Sequence, residues 1–418
     1  MPQAQHKATS STRKTLGASV TNDRAKNKPT KNPTHLNRQS KKYPDNCDFL
    51  KGLANNWINK FHLKNRKMKN FKIYAFLTFL FLGSTSVSAQ SILELYFGGN
   101  KDSLTNEATK LIHIPEPTFK PITQPTELNP EAIADMGFEQ VYKSETRYFT
   151  VRDNKRIFAY RFPNRSKNTI VLIHGVKSNA YKYNKTAGLL QEATQAEVYA
   201  IDLRGHGQSE GSIGDVDYIN QYVDDLADIV SIVRKEKPNG KIIIAGHSMG
   251  GGIALRFALE KKYQQPDGFL LFAPLIGHNS PAFPQGQAIK NKSEEPLMKI
   301  HIERIIGLTM LNEIGNHEYD SLPVLFFNLP ETVPLRKYSF RANKSMTPDD
   351  YVAGLKAVDK PMLVLMGSED EAFSPTATKE AILKNSNGEF QIIDKTSHNG
   401  VRHNAQSFIF IRDWFSKL

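Results

Sequence analysis

Cysteine is almost absent from this sequence of 418 residues, with Cys47 as its single example. The chain beyond Cys47 therefore has neither a disulfide framework nor a thiol nucleophile. The sequence also lacks an HExxH motif, paired cysteines and a phosphate-binding glycine loop after its first apolar strand. We therefore predict that the protein uses no metal and no nucleotide cofactor.

Long hydrophobic runs are also missing. The apolar run from Ile73 to Gly83 has 11 residues, whereas a membrane-spanning helix needs about 20. Two lysines precede the run and Val87-Ser88-Ala89 follows it, which is the pattern of a cleaved secretory signal. The sequence thus predicts a signal peptide over 68–89, a mature chain from Gln90, and export to the periplasm or out of the cell. No cysteine follows the apolar run, so a lipid anchor at the cleavage site is excluded.

Acidic residues are scarce in the first 67 positions, which hold 15 Lys and Arg but only 3 Asp. This segment is polar and aperiodic, and it is predicted to be a disordered basic leader. Three interpretations stay open: Met68 is the true initiator, the segment is an organelle transit peptide, or it is a cytosolic tail. The whole chain carries a net charge of +13, so nearly all of the excess lies in the leader. The folded part is close to neutral, and we predict no nucleic-acid partner.

The remaining chain divides into a proline-rich segment over 90–135 and a main domain over 136–418. Five prolines lie between Pro115 and Pro130, which indicates an extended arm that does not pack. Beyond it, two alternating runs predict an antiparallel pair of strands near 140–150 and 155–162. Short apolar runs then alternate with helical stretches, which predicts an α/β fold with a mostly parallel central sheet flanked by helices. These runs are NTIVLIH, EVYAIDL, KIIIAGHS, GFLLFAPL, PMLVLMG and EFQIID.

The alternation is interrupted over about 276–348, which is too long for an ordinary connection. We predict a cap inserted over the sheet, with a helix from Glu295 to Ile314 and the apolar segment VLFFNLP after it. The helix is apolar around much of its circumference. It either guides an acyl chain as a lipid-facing lid or buries its apolar side on the sheet, and the sequence does not decide between these. A lid of this kind predicts transient contact with a membrane surface.

The strongest chemical signal is GHSMG, from Gly246 to Gly250, between the apolar run KIIIA and a helical segment. A serine in a tight strand-to-helix turn needs small neighbours two residues before and two after it. The start of the following helix favours developing negative charge. Ser248 is therefore the predicted nucleophile.

A serine nucleophile needs a base, and the base needs an orienting carboxylate. Asp370 follows the strand PMLVLMG, and His398 follows the strand EFQIID, so both lie where a parallel sheet presents its loops. Their order after Ser248 is that of this architecture. Glu369 and Glu371 compete with Asp370 for the role of the acid, and His403 competes with His398 for that of the base.

The oxyanion of an acyl-transfer intermediate needs hydrogen-bond donors. The predicted donors are the backbone N–H of Met249, directly after the nucleophile, and that of Val176, in the loop after TIVLIH.

Together these segments resemble the α/β-hydrolase superfamily, most closely the group of monoglyceride lipases, bacterial lysophospholipases and serine aminopeptidase-like hydrolases. The resemblance covers about 138–418 and is loose in the cap. It rests on LIHG, DLRGHGQSEG, GHSMGG, GSED and SH. It places Ser248, Asp370 and His398 on the family's triad, and Val176 and Met249 on its oxyanion hole. It implies that Arg204 and His206 belong to a structural loop; His174 is also expected to pack rather than to react. Epoxide hydrolases and haloalkane dehalogenases also resemble this chain but use an Asp nucleophile, and Ser248 argues against both groups.

The resulting expectation is a serine hydrolase that cleaves carboxylic esters through an acyl-enzyme. The resemblance implies a lipid-type ester, such as monoacylglycerol or lysophospholipid. An aminopeptidase or amidase of the same fold is one alternative, with Glu294 and Glu295 as candidates to hold a substrate ammonium. A non-catalytic binding protein on this fold is another.

Overall fold

The fold is taken from a computed structural model, which describes residues 92–120, 130–283 and 295–418. The predicted basic leader and signal peptide lie outside these residues. Within the described ranges, no helix has the length and apolar character needed to cross a bilayer.

Eleven strands lie within the described residues. They are β1 (Glu145–Thr150), β2 (Arg156–Phe162), β3 (Thr169–Ile173), β4 (Glu197–Ile201), β5 (Ile242–His247), β6 (Gly268–Phe272), β7 (Met298–Ile300), β8 (Pro323–Phe327), β9 (Lys337–Ser339), β10 (Met362–Gly367) and β11 (Glu389–Ile393).

The helices of the same ranges are α1 (Ile92–Phe97), α2 (Lys101–Ile112), α3 (Pro130–Met136), α4 (Asn184–Thr194), α5 (Gln221–Glu236), α6 (Met249–Leu259), α7 (Ile302–Glu313), α8 (Phe340–Lys344), α9 (Tyr351–Lys356), α10 (Pro375–Asn385) and α11 (Ala405–Phe415). Two short 3-10 helices, Ala180–Tyr183 and Gly400–Arg402, follow β3 and β11.

The central sheet has eight strands in the order β1-β2-β4-β3-β5-β6-β10-β11. Strand β2 pairs antiparallel with both β1 and β4, and the pairs from β4 to β11 are parallel. All residues of β3, β4, β5, β6 and β10 are buried, which explains their continuous apolar sequences. The predicted α/β fold with a mostly parallel sheet flanked by helices is confirmed.

The predicted cap region contains a second sheet, separate from the first. Strands β7, β8 and β9 form it in that order, and both of its pairs are antiparallel. The helix expected from Glu295 to Ile314 begins only at Ile302, because 298–300 pairs with β8 as a strand. A strand of three residues is too short to leave a readable alternation in the sequence.

Within its described residues, the segment before the main domain contains a packed helix, so the prediction of an unpacked arm was wrong for Lys101–Ile112. Helix α2 packs against cap helix α7, and it buries the side chains of Leu104, Ala108, Leu111 and Ile112. The side chain of Asn100 caps the helix by accepting a hydrogen bond from the Ser103 amide at 2.9 Å. The apolar residues of α2 have helical spacing. The prediction was based instead on the high proline content of the residues that follow.

The burial of the apolar cap helix favours the second of the two roles considered for it, although its partners are α2 and the second sheet, not the central sheet. The α7 side chains of Ile306, Leu308, Met310 and Leu311 are all buried. Their burial against α2 and the second sheet makes most of α7 an interior surface. The exposed apolar side chains lie just before α7 and at its start: Ile300, at the end of β7, is 47% exposed, and Ile302 is 41% exposed.

Candidate active site

Ser248 lies in the turn that joins β5 to α6. Its backbone has φ 53° and ψ −116°, which is an unfavourable region for any residue other than glycine. The flanking glycines make this turn possible. A Cβ atom at Gly246 would lie 2.3 Å from the Gly250 carbonyl oxygen, and one at Gly250 would lie 2.4 Å from the Ile173 carbonyl oxygen. The turn therefore presents the serine at the carboxyl end of β5, at the start of α6.

His398 and Asp370 are brought together from the loops after β11 and β10. His398 Nδ1 lies 2.9 Å from Asp370 Oδ2 and 3.0 Å from Oδ1. Asp370 Oδ1 also accepts hydrogen bonds from the amides of Ala372 and Phe373, at 2.9 and 2.8 Å. The carboxylate is fully buried, so these bonds hold it in one orientation behind the imidazole.

The competing residues occupy other positions. Glu371 Oε2 accepts a hydrogen bond from the His398 backbone amide at 3.0 Å, which supports the loop without touching the imidazole. The Glu369 amide donates to the Thr396 carbonyl at 3.0 Å. His403 lies next to Thr186, with 3.1 Å between His403 Nε2 and the threonine hydroxyl.

A hydrogen-bond chain joins the loop after β3, the serine turn and the His398 loop. The Gly175 amide donates to the Tyr183 hydroxyl at 2.8 Å, and that hydroxyl donates to His247 Nδ1 at 2.6 Å. His247 Nε2 then donates to the His398 carbonyl at 3.0 Å. Burial keeps the pKa of His247 well below its ordinary value, so the ring is neutral and one nitrogen accepts while the other donates.

The predicted oxyanion donors lie on either side of the serine. A Cβ atom at Gly175 would lie 3.4 Å from Ser248 Cβ, so the loop carrying Val176 directly adjoins the serine. Met249 is the first residue of α6. Within the described ranges, the amides of Val176 and Met249 have no protein acceptor. Both are therefore available to a ligand.

The DLRGHGQSEG segment forms a buried scaffold beside this site, as predicted. The Arg204 guanidinium is 1% exposed and pairs with Asp225 at 2.6 Å and with Asp153 at 2.7 Å. Asp202 accepts hydrogen bonds from the Ala180 and Gln208 amides at 2.5 and 2.7 Å.

Two buried histidines complete this scaffold. His206 Nδ1 donates to the Arg204 carbonyl, and its Nε2 accepts from the Tyr338 hydroxyl, each at 2.9 Å. His174 Nδ1 donates to the Gly175 carbonyl at 2.8 Å, and its Nε2 accepts from the Leu203 amide at 3.1 Å. Neither ring is free for proton transfer, so both are packing residues as expected.

The sequence did not single out Tyr183, His247 or Lys177. His247 belongs to the GHSMG motif and was visible there. The role of Tyr183 depends on a contact across 64 positions, which leaves no local signal. Among the described residues, no group of His, Cys, Asp and Glu has an arrangement suited to a metal ion.

Comparison with known proteins finds similarity over parts of this chain. Residues 164–315 match the family model described as serine aminopeptidase, S33. Monoglyceride lipase of Rattus norvegicus is 36% identical over 110 residues, which are 26% of this chain and 36% of that protein. Monoacylglycerol lipase of Mycolicibacterium smegmatis is 36% identical over 97 residues, which are 23% of this chain and 34% of that protein. The chain thus spans about a third of the length of these curated relatives.

Among solved structures, the monoacylglycerol lipase of Paleococcus ferrophilus is similar, with a TM-score of 0.43 and 19% identity. That match covers 62% of this chain and 98% of the other. The family match over 164–315 includes the serine turn at Ser248. The chain is thus similar over 164–315 to the S33 serine aminopeptidase family, and over about a quarter of its length to monoglyceride and monoacylglycerol lipases.

Proposed function

We propose that this hydrolase cleaves carboxylic esters through an acyl-enzyme formed on Ser248, and that its substrates are lipid-type esters such as monoacylglycerol or lysophospholipid. The observation that carries the proposal is the pairing of His398 with a buried, doubly capped Asp370. Ser248 is held at positive φ, and His247, the residue before it, hydrogen-bonds to the His398 carbonyl. This combination favours nucleophilic catalysis because each group is fixed before substrate binds.

In the proposed reaction, the Ser248 hydroxyl attacks the ester carbonyl while His398 takes its proton through Nε2. Asp370 accepts the Nδ1–H of His398 and stabilises the imidazolium that forms. The amides of Val176 and Met249 donate to the oxyanion of the tetrahedral intermediate. His398 returns the proton to the departing alcohol, which leaves Ser248 acylated. Water then attacks the acyl-enzyme with His398 again as the base, and the carboxylic acid is released.

The choice of a lipid-type ester is supported by the names of the matched relatives, which are monoglyceride and monoacylglycerol lipases. The buried α7 offers little support for a lipid-facing lid. Exposed apolar side chains do lie before and at its start, and they support the proposed transient contact with a membrane surface: Leu297, Met298, Ile300 and Ile302. Export after cleavage near Ala89 also remains a proposal.

The aminopeptidase alternative has weaker support in the cap. The Glu295 carboxylate is already paired with the Lys299 ammonium, so it is not free to hold a substrate amine. Glu294 lies outside the described residues. The non-catalytic alternative requires that Ser248 stay unreactive although His398 is paired with Asp370.

The test compares the full-length chain with its Ser248→Ala variant. Substrates are p-nitrophenyl esters of increasing chain length, monoacylglycerol, lysophospholipid and an aminoacyl anilide. We expect ester hydrolysis that the variant loses, together with labelling of Ser248 by a fluorophosphonate. Hydrolysis of the anilide alone would favour the aminopeptidase. Folded protein that neither hydrolyses a substrate nor reacts with the probe would favour the binding protein.

A further inference from the structure

Two lysines beside the predicted oxyanion loop lack the carboxylate partners that such partly buried charges usually have. Lys177 follows Val176 directly, and Lys182 lies in the 3-10 helix that follows. Burial lowers the pKa of both ammonium groups, and the charge of Lys182 lowers that of Lys177 further. Within the described ranges, neither lysine forms an ion pair with a carboxylate. Two like charges are thus held partly buried and close together without compensation.

The position of Lys177 is fixed from both the loop and the cap. Its backbone adopts φ 56°, in the left-handed region that residues other than glycine rarely occupy. Its amide donates to the Tyr338 hydroxyl on β9 at 2.8 Å. Its ammonium lies 4.8 Å from the ring centroid of Phe327 on β8. The side chain is therefore held where the oxyanion loop meets the cap.

The acidic groups of the neighbouring elements are already engaged. Asp202 accepts two backbone amides, and Asp215 pairs with Arg341 at 2.6 Å. Glu116 pairs with Lys337 at 2.5 Å and with Arg304 at 3.4 Å. None of these carboxylates pairs with Lys177 or Lys182, so the two ammonium groups keep their capacity to bind an anion.

We propose that Lys177 and Lys182 bind an anionic group of the substrate, a phosphate or a carboxylate carried near the scissile ester. This inference rests on the proposed ester hydrolase and specifies its substrate class. Ammonium groups bind either anion as point charges, so phosphate and carboxylate share the chemistry. The same charges would repel a substrate ammonium, which is the group that an aminopeptidase must accept.

The experiment compares three esters of one acyl chain on the full-length protein: 1-acylglycerol, its 3-phosphate, and the corresponding acylglycerate. The first is neutral, and the other two distinguish phosphate from carboxylate. Variants are Lys177→Met and Lys182→Met, because methionine keeps the length of the stem and its packing on Phe327. The control is Lys185→Met, which removes an equal charge from a lysine that is ion-paired with Glu139.

We expect kcat/KM for at least one anionic ester to exceed that for the neutral ester, and Lys177→Met to reduce this ratio about tenfold through KM. Lys182→Met should reduce it in the same direction, and Lys185→Met should leave the ratio unchanged. Higher salt should also reduce the ratio for the unmodified protein. That measurement needs no variant to fold.

A binding arm separates this inference from the proposed reaction. Octyl phosphate is titrated calorimetrically into the Ser248→Ala protein, with and without Lys177→Met. Binding that Lys177→Met weakens about tenfold supports the anion site even if no ester is hydrolysed. Equal kcat/KM for neutral and anionic esters, or octyl phosphate binding that is absent or insensitive to both lysines, would overturn the proposal.

Discussion

The Tyr183 hydroxyl lies 2.6 Å from His247 Nδ1, and it receives the Gly175 amide at 2.8 Å. His247 in turn reaches the carbonyl of His398 at 3.0 Å. One phenol thus connects the loop that carries a proposed oxyanion donor with the residue before Ser248 and with the loop of the proposed base. Tyr183 touches none of the reacting atoms in the proposed mechanism, so it is a positioning residue.

Removal of that hydroxyl should loosen the site without changing its charge. In Tyr183→Phe, the Gly175 amide and His247 Nδ1 lose their partner in a buried setting, which costs about 1–3 kcal/mol of stability. We expect kcat for an ester to fall about tenfold, since small displacements of catalytic groups are costly. Steady-state kinetics and urea unfolding measure the two effects.

Tyr181→Phe is the matched control, because Tyr181 is two residues away and 56% exposed. It should change neither kcat nor the free energy of unfolding. If Tyr183→Phe loses stability but keeps full kcat, the hydrogen-bond chain is structural and does not position the site.

The proposed acid can be tested by removing its charge alone. In Asp370→Asn, the remaining oxygen can still accept the Ala372 and Phe373 amides, so the loop should stay folded. The stabilisation of the imidazolium is lost, and kcat should fall by about 10³–10⁴ with little change in KM. Glu369→Gln, next to it in the same loop, should stay within twofold of the unmodified enzyme. A comparable loss in Glu369→Gln would reassign the acid.

The sequence predicted those parts of the structure that depend on the pattern of neighbouring residues along the chain. The strands β3, β5 and β10 are continuous apolar runs because both faces of each are buried. Parallel strands end at the same edge of the sheet, so Asp370 and His398 could be expected to meet from their positions in the chain. Their hydrogen bonds agree with that expectation.

The parts that were missed depend on tertiary contacts. Helix α2 is stabilised by packing on α7, and its apolar stripe was hidden by the prolines that follow it. Which side of α7 is buried could not be known before its partner was known. The sequence also could not indicate that Lys177 and Lys182 lack carboxylate partners, because that requires the positions of the surrounding side chains.

The packing of α2 on α7 makes Lys101–Ile112 part of the folded unit. Leu104 is fully buried, and Leu104→Ala should lower the free energy of unfolding by about 2–5 kcal/mol. Leu383→Ala is the control, because Leu383 is 53% exposed and should change stability by less than about 0.5 kcal/mol. Chemical denaturation of both variants measures the difference. If Leu104→Ala and Leu383→Ala have equal free energies of unfolding, then the packing of α2 does not stabilise the fold.

Stability should fall in mild acid because the fold keeps several imidazoles neutral. Burial lowers the pKa of His206 to about 4, and it lowers those of His174 and His247 well below 6.5. The unfolded chain therefore takes up protons first as the pH falls below 6.5, so stability present above 6.5 is lost toward pH 4. Each such imidazole removes about 1 kcal/mol per pH unit in this window. Asp225, whose pKa burial raises to about 6, offsets part of the loss.

Urea unfolding at pH 7.5 and pH 5.5 measures this loss. The His206→Gln variant supplies an internal comparison, because it removes one of these imidazoles. In the unmodified protein, His206 Nε2 accepts a hydrogen bond from the Tyr338 hydroxyl at 2.9 Å, and the glutamine side chain can still accept that bond. We expect the variant to be less stable at pH 7.5 but to lose about 1 kcal/mol less than the unmodified protein between the two pH values. A free energy of unfolding that is as high at pH 5.5 as at pH 7.5 would mean that the buried histidines are protonated in the folded protein. Their rings could then not accept the hydrogen bonds described here, and the chain from Tyr183 through His247 to His398 would need another arrangement.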